Sequence, residues 1–542
     1  MKHIKYILAL FIVSLLLANP CISENTAPLP YIIRQQNTDF LTFEELQSLS
    51  INPNSDENIT VKYNNFLRTP IIDNTAYYNG IKPMKPVNIN LNTPIIRLAS
   101  WNIEKSIFLD DAIIAFTSED KFKKLINTKK VYPYSIDYQT IIRQRERLRT
   151  ADIIVLQEME VGVKRSGYID ASRELAKALN MNYVFAPQYL EVDPVLLGLE
   201  KIFFYEGDID KEATSYFNVD PEKYKGVFGS AVLSRYPIKY VEVFPLTNQA
   251  YDWYNNEKKK TSFLEVSRRI GSKMVFKNEM TREVKVGGRH FFRVDLHVPG
   301  IPDETLTIIN VHLEIKCLPK ERERQISEIL TYIKNIENPV ILVGDFNSAT
   351  TDLSPTSLKR TVKRTLTNPT TWFSAAVSYL SPNGLIINSL RGVSNVTKNY
   401  DNPLASHIPI LAPNALKELF TIIYDFRFSD GGKFDFRGDA NRSMFGKEGT
   451  LSNSNQRDFK GFKTTFNLKR PLGPVIGKYR LDWIFVKSYL TDSSQTQYRY
   501  RLAPHFGETL EELNTNLYKP ISDHHPNVVD LPLNEPSISS LN

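Results

Sequence analysis

The sequence predicts a layered α/β protein in which sheets are covered by helices, and three observations lead there. Short apolar runs of strand length recur from Ile95 onward, amphipathic helical patterns lie between them, and the strands are apolar on both faces, as in buried sheets. The bulk composition agrees. At 542 residues, 42% hydrophobic and 23% charged, the chain matches an ordinary globular protein, long enough for one large domain with insertions or for two or three domains.

The first element is N-terminal. In "MKHIKYILALFIVSLLLANPCIS", Lys2 and Lys5 precede an apolar run from Ile7 to Ala18 that is short for a bilayer span and is followed by small and polar residues. This predicts a signal peptide over residues 1–23, cut near Ser23, and export to a periplasm or the extracellular space; an uncleaved anchor is the alternative. The segment holds two lysines and no acids, so the formal charge of +7 falls to +5 after cleavage, a mildly basic balance that suits an anionic substrate without requiring one. Of the two cysteines only Cys317 lies beyond it, which excludes an intramolecular disulfide and a thiolate metal site in the mature chain.

No other apolar run approaches membrane length, and no repeat of fixed period is present. Residues 24–94, rich in Asn, Pro and Thr with one helical patch at "FEELQSL", read as an N-terminal extension that packs on the rest. Over 95–530 the candidate strands are Ile95–Ser100, Asp152–Gln157, Gly229–Ser234, Thr305–Leu313, Val340–Phe346 and Leu481–Val486, with helices at "YQTIIRQRERLRTA" and "KERERQISEILTYIKNI". The interval from about 349 to 480, rich in Asn, Ser, Gly and Pro, breaks this rhythm and reads as a loop-rich insertion; residues 531–542 are a C-terminal tail.

Several of these strands stop at a polar residue. Asn102 follows "RLASW", Gln157 and Glu158 follow "IIVL", His312 follows "IINV", Asp345 and Asn347 follow "ILVG", Asp482 follows "YRL", and "ISDHHP" supplies Asp523 and His524. Taken singly, Asn102 is a turn or cap residue, Glu158 an acid at a helix start, Asp345 with Asn347 an Asx turn and His312 a core histidine. Together, at the strand ends of a layered α/β protein, they gather at one rim. Glu158 and Asn102 offer hard oxygen ligands to a hydrated Mg²⁺, His312 and His524 act as acid, base or phosphate donor, and Asp482 or Asp523 fixes a histidine tautomer. That is a site for hydrolysing a phosphate ester. In "ILVGDFNS", Gly344 is expected to let the backbone approach a ligand, and strand alternation to aim Asp345 and Asn347 to one side with Phe346 turned away.

The ordered series "WNIE", "VLQE", "GSAVLSRYPI", "VHLE", "VGDFNS", "LDWIF" and "SDHHP" closely resembles the endonuclease/exonuclease/phosphatase superfamily, from about Ile95 to Asp530 with the insertion interrupting. The resemblance implies a deoxyribonuclease I-like four-layered sandwich of two mostly antiparallel sheets flanked by helices, with a divalent-metal site, Mg²⁺ or Mn²⁺/Ca²⁺, at one edge. It implies Glu158 as the main metal carboxylate, with Asn102 beside it and Asp523 approaching the ion. Asp345 would orient or deprotonate the attacking water and Asn347 hold that water or the phosphate. His524, held by Asp482, would be the catalytic histidine, and His312 would donate to phosphoryl oxygens. The inositol 5-phosphatase motif is absent where "RLDWIF" stands, and no acid is identifiable behind His312; Glu104 is either an extra ligand or a solvent-facing strand end.

The expected substrate is nucleic acid. Basic residues such as Arg427, Arg437, Arg442, Arg457 and Lys463, interleaved with Phe426, Phe428, Phe434, Phe436, Phe445 and Phe462, would serve phosphate contact and base stacking, or else belong to a loop pinned by its phenylalanines. The stretch "VGGRHFFRVDLHVPG", with Arg289 and His290, reads as a strand with one charged face. A sphingomyelinase-like enzyme acting on membrane lipid is the alternative, with "LLGLEKIFFYEG" or "YDWYNNEKKK" as membrane contacts. A phosphatase, or a non-catalytic binding protein on the same scaffold, follows. No protein partner is implied, and a monomer is expected.

Overall fold

The apolar strands pair into two large sheets. The computed structural model describes residues 32–54, 56–88, 90–200, 219–258, 283–348, 417–458, 461–472, 476–490 and 500–533. The expected signal peptide, most of the C-terminal tail and the first half of the expected insertion lie outside these residues.

In chain order the strands are β1 (Gln35–Gln36), β2 (Ile71–Asp73), β3 (Val87–Asn88), β4 (Thr93–Asn102), β5 (Ile153–Val161), β6 (Asn182–Glu191), β7 (Val227–Ser234), β8 (Ile238–Pro245), β9 (Lys285–Gly287), β10 (His290–His297), β11 (Thr305–His312), β12 (Val340–Asp345), β13 (Asp482–Lys487), β14 (His505–Thr509) and β15 (Asn527–Pro532). A ten-stranded sheet runs β1-β2-β6-β7-β5-β4-β15-β14, with β3 on β4 and β9 on β6, and a five-stranded sheet runs β13-β12-β11-β10-β8. Only the pairs β4–β5 and β11–β12 are parallel in these two sheets.

Alternation along each strand sorts side chains into three apolar layers. Ile96, Leu98, Ile153 and Val155 of the large sheet meet Val294, Ile308, Ile341 and Ile484 of the smaller one, so the sheets lie face to face. The opposite face of the large sheet, with Ala99, Trp101, Ile154 and Leu156, is covered by α1 (Phe43–Ile51), α2 (Glu57–Arg68), α3 (Leu109–Thr117), α4 (Ile136–Arg149) and α5 (Ala171–Leu179). The outer face of the smaller sheet, with Ile309, Val311, Leu342 and Phe485, is covered by α6 (Pro319–Ile333) and α7 (Lys417–Asp425). The result is helix, sheet, sheet, helix.

The N-terminal segment is part of this fabric, because β2 pairs with β6 and Leu46, Leu49 and Phe66 are buried in the outer layer. Its helix α1 starts at a capping box between Thr42 and Glu45. In the described part of the expected insertion, Leu419, Phe420, Phe428, Phe434, Leu451 and Phe462 are buried under the smaller sheet. Its phenylalanines therefore serve mainly to pin the segment, Arg457 lies over the Phe462 ring, and Phe445 is the exposed exception at 67%.

Candidate active site

Three strands of the smaller sheet set polar residues side by side. Register places His312, the last residue of β11, beside Asp345, the last of β12, and Asp345 beside Asp482, the first of β13. Across the sandwich β4 ends in Asn102, which pairs with Gln157 of β5.

Glu158 comes from a bulge. Leu156 pairs with Ala231 and Met159 with Gly229, so Gln157 and Glu158 together oppose Ser230. Glu158 carries a φ of +57°, and the extra residue re-aims its carboxylate while Gln157 and Met159 stay buried. The strand then continues to Val161, so the acid stands neither at a helix start nor at a strand end.

The remaining groups arrive on the loop before β15. Trp101 Nε1 and Asn514 Nδ2 both donate to the carbonyl of His524, each at 3.0 Å. Ser522 Oγ donates to the Asn102 carbonyl at 2.7 Å and accepts from the His524 N–H at 3.0 Å, tying the loop to the end of β4. His524 Nδ1 lies 2.8 Å from Asp482 Oδ2, and its Nε2 lies 3.9 Å from Asp345 Oδ2. His312 Nε2 lies 3.7 Å from that same oxygen and 3.9 Å from Glu158 Oε1. Asn102 Nδ2 donates to Asp345 Oδ2 at 3.1 Å and to Glu158 Oε1 at 3.3 Å. Asp345 Oδ2 is thus the hub on which His312, His524 and Asn102 converge, with Glu158 and Asp482 bound to those three.

Burial and charge drive these groups apart. Burial, and then the Asp482 carboxylate, push Asp345 up to about 7 against the pull of His524. Burial would lower His524, but Asp482 bonded to Nδ1 and Asp345 beyond Nε2 hold it well above the ordinary histidine value. His312 goes the other way, lowered well below by burial and then by the charges of Arg289 and His524. Its Nδ1 is buried without a hydrogen-bond partner among the described residues, and none of them places an acid behind this histidine. One histidine is raised and the other lowered on either side of a single raised carboxyl group, the kind of separation that acid–base work uses.

Two expected residues sit at the margin. Asn347 closes an Asx turn, its N–H donating to Asp345 Oδ1 at 2.8 Å while its Nδ2 donates to the Leu313 carbonyl at 2.9 Å. The strand ends at Asp345 and Asn347 has a φ of +46°, so turn geometry rather than strand alternation positions it. Phe346 is buried. The Asp523 N–H donates to Glu104 Oε2 at 2.9 Å, and its carboxylate stands close enough to raise His524. Glu104 is therefore engaged with that loop rather than a bare solvent-facing acid. Gly344 also differs from expectation: a Cβ there would lie 2.0 Å from the Val311 carbonyl oxygen, at a φ of +140°, so the close approach it permits is to β11, not to a ligand.

Sequence reasoning missed the buried cations around this cluster. Arg289 is 4% exposed, donating from Nε to Glu314 Oε2 at 3.1 Å and from Nη1 to Gln188 Oε1 at 3.4 Å, rather than lying on a solvated strand face. Glu314 also accepts from Trp253 Nε1 at 2.9 Å. Lys105 and Lys285 are both paired with the buried Glu283, on a stretch where Glu104, Lys105 and Ser106 all have positive φ. A buried arginine is legible only once its acid is known, and Glu314 lies 25 residues away.

The donor set fits a divalent ion. Ligand atoms of Asp345, Asp482 and His524 all lie within 4.8 Å of one another, and Glu158 adds a carboxylate with a 22% exposed side chain beyond the Asn102 amide. Asn102 presents its amide nitrogen to both carboxylates, while its Oδ1 accepts from the Glu104 N–H at 3.1 Å. In this arrangement it braces the acids as a donor.

The family model for the Endonuclease/Exonuclease/phosphatase family matches residues 99–524, which takes in every one of these groups. The chain belongs to that family. It is a family of phosphoesterase hydrolases. No curated protein matches the chain significantly. Similar solved structures include an endonuclease/exonuclease/phosphatase from Beutenbergia cavernae, 14% identical over 81% of this chain and 72% of that one, with a TM-score of 0.34. A humanized D. rerio TDP2 is 12% identical over 81% and 98%, with a TM-score of 0.32. The 3′ phosphatase NExo from Neisseria, bound to a product DNA hairpin, is 12% identical over 80% and 99%, with a TM-score of 0.33.

Proposed function

We propose that this family member is an exported, divalent-metal-dependent phosphodiesterase whose substrate is nucleic acid. The observation that carries the reading is Asp345 Oδ2, buried and flanked at 3.7 and 3.9 Å by His312 and His524.

Near neutrality Asp345 exchanges its proton readily and takes one from the attacking water. The His524 imidazolium faces the same space and stabilises negative charge that develops on the phosphoryl group, with Asp482 holding the ring by Nδ1. His312, neutral, contributes a hydrogen bond without adding charge. Buried Arg289, paired with Glu314, adds to the lowering of His312. Glu158, braced by Asn102, would hold the ion, and Mg²⁺ bound there would polarise the phosphate and ease ionisation of water.

Hydrolysis of bis(p-nitrophenyl) phosphate and of labelled DNA and RNA, with Mg²⁺ or with EDTA, tests the reading. His524→Ala and Asp345→Ala are each expected to lose roughly 10²–10⁴ in kcat, and EDTA to abolish turnover. Normal turnover by either variant rejects the assignment. Cleavage of sphingomyelin vesicles without cleavage of nucleic acid reverses the choice of substrate; the buried position of Trp253, 7% exposed, already removes one aromatic from the stretch that would have touched a membrane. Export is checked by the mass of the secreted protein, expected to lack its first 23 residues.

A further inference from the structure

The most exposed large apolar side chains among the described residues are Tyr134 at 87%, Ile136 at 82% and Tyr132 at 74%, the two tyrosines on the loop that leads into α4 and Ile136 at the first position of that helix. Tyr134 has a φ of +65°, a backbone conformation that a tyrosine seldom adopts. Exposed Lys129 and Lys130 precede them and have no carboxylate partner among the described residues.

This loop is joined to a second one. The Asn127 N–H donates to the Asn516 carbonyl at 2.8 Å, the Tyr518 N–H to the Leu125 carbonyl at 2.9 Å, and Thr128 Oγ1 lies 2.8 Å from Tyr518 OH. Tyr518 is 55% exposed. Lys519 follows, its Nζ 3.6 Å from the centroid of the Phe108 ring, with Asp111 as the nearby acid. The same loop then runs straight into Ser522, Asp523 and His524, so this surface adjoins the catalytic cluster by chain continuity.

We infer that Lys129, Lys130, Tyr132, Tyr134, Tyr518 and Lys519 form a docking platform for single-stranded nucleic acid. Bases stack on the tyrosine rings, phosphates lie against the lysines, and the adjoining nucleotides cross the catalytic cluster. The inference rests on the nucleic-acid reading above. Flat rings interleaved with exposed cations match the stacking and charge of a single strand. A bilayer would call for a broad contiguous apolar face, and here Ile136 is the lone aliphatic side chain among tyrosines and lysines.

The test uses the full-length protein and a fluorescein-labelled oligothymidylate, with anisotropy read in EDTA and cleavage read in Mg²⁺. Paired substitution Tyr132→Ala with Tyr134→Ala, and separately Tyr518→Ala, should each weaken binding about ten-fold. Paired Lys129→Gln with Lys130→Gln should lower the slope of log affinity on log salt by about 1.4. Turnover of bis(p-nitrophenyl) phosphate, which is too small to reach the platform, reports folding of each variant. Wild-type affinity and salt slope in all variants would overturn the platform while leaving the nucleic-acid reading intact. Failure of the wild-type protein to bind or cleave the oligonucleotide, with the small diester still hydrolysed, overturns both. Binding of anionic vesicles that depends on these tyrosines, without oligonucleotide binding, replaces the nucleic acid with a membrane and also overturns it.

Discussion

His312 and His524 are the same side chain shifted in opposite directions, and much of the difference lies in what touches the second ring nitrogen. His524 Nδ1 meets Asp482 at 2.8 Å, whereas His312 Nδ1 is buried with no partner among the described residues. Asp482→Asn keeps the shape and removes the charge. It should lower kcat roughly a hundred-fold with little change in KM, because it acts on the protonation of His524 rather than on binding. Equal losses in the two parameters would instead mark Asp482 as a substrate contact. Residue type made this pair legible in the sequence, since an acid and a histidine at strand ends have few other uses together. Arg289, Lys105 and Lys285 were illegible for the converse reason. A cation in a strand-forming stretch reads as solvated until its acid is located, and Glu283 lies 178 residues from Lys105.

Strand ends were legible as a class, because apolar runs that stop at polar residues show where a buried strand meets the rim. What could not be read was how each end is shaped. Glu158 reaches the site through a bulge opposite Ser230, and bulges depend on the partner strand, which no local pattern reveals. Gly344 makes the same point. It was read as room for a ligand, yet it is required by the parallel pairing of β11 and β12, which sets His312 beside Asp345. Gly344→Ala should therefore force these strands apart. The expected loss is about 2–3 kcal/mol of stability in denaturant unfolding, from overpacking and left-handed strain. Activity should fall with it, because the two residues at the strand ends would separate. A variant with unchanged midpoint and turnover would show that the sheet accommodates the methyl group, and that this register is not what holds the site.

Distant parts of the chain close the large sheet, and buried charge fastens the closure. β15 pairs with β4, so the C-terminal strand lies beside the strand that carries Asn102. Arg147 of α4 donates to Glu508 Oε2 of β14 at 2.9 Å and lies 3.3 Å from Asp530 Oδ1 of β15, while Arg97 of β4 pairs with Asp530 at 2.7 Å. Burial would raise both acids. Arg143 and Arg147 overcome it at Glu508, and Arg147 and Arg97 at Asp530, so both are held below the usual carboxylate range. A carboxyl group depressed in the folded state contributes stability that is fully present above its unfolded value, about 4.3 for Glu and 3.9 for Asp. That contribution is lost as pH falls through the lower folded values, so stability should be flat near neutrality and decline below about pH 4. Arg147→Met leaves two buried acids short of a partner. It should cost about 3 kcal/mol at pH 7 and, because burial then outweighs the remaining attraction, move the acid limb to higher pH. Denaturant unfolding followed by tryptophan fluorescence from pH 3 to 8 measures both effects. Curves that differ by a constant offset at every pH would show that Arg147 acts by packing alone. Because these pairs hold β14 and β15 to α4, and the catalytic loop lies between those two strands, the same variant should lose phosphodiester turnover at a lower temperature than wild type.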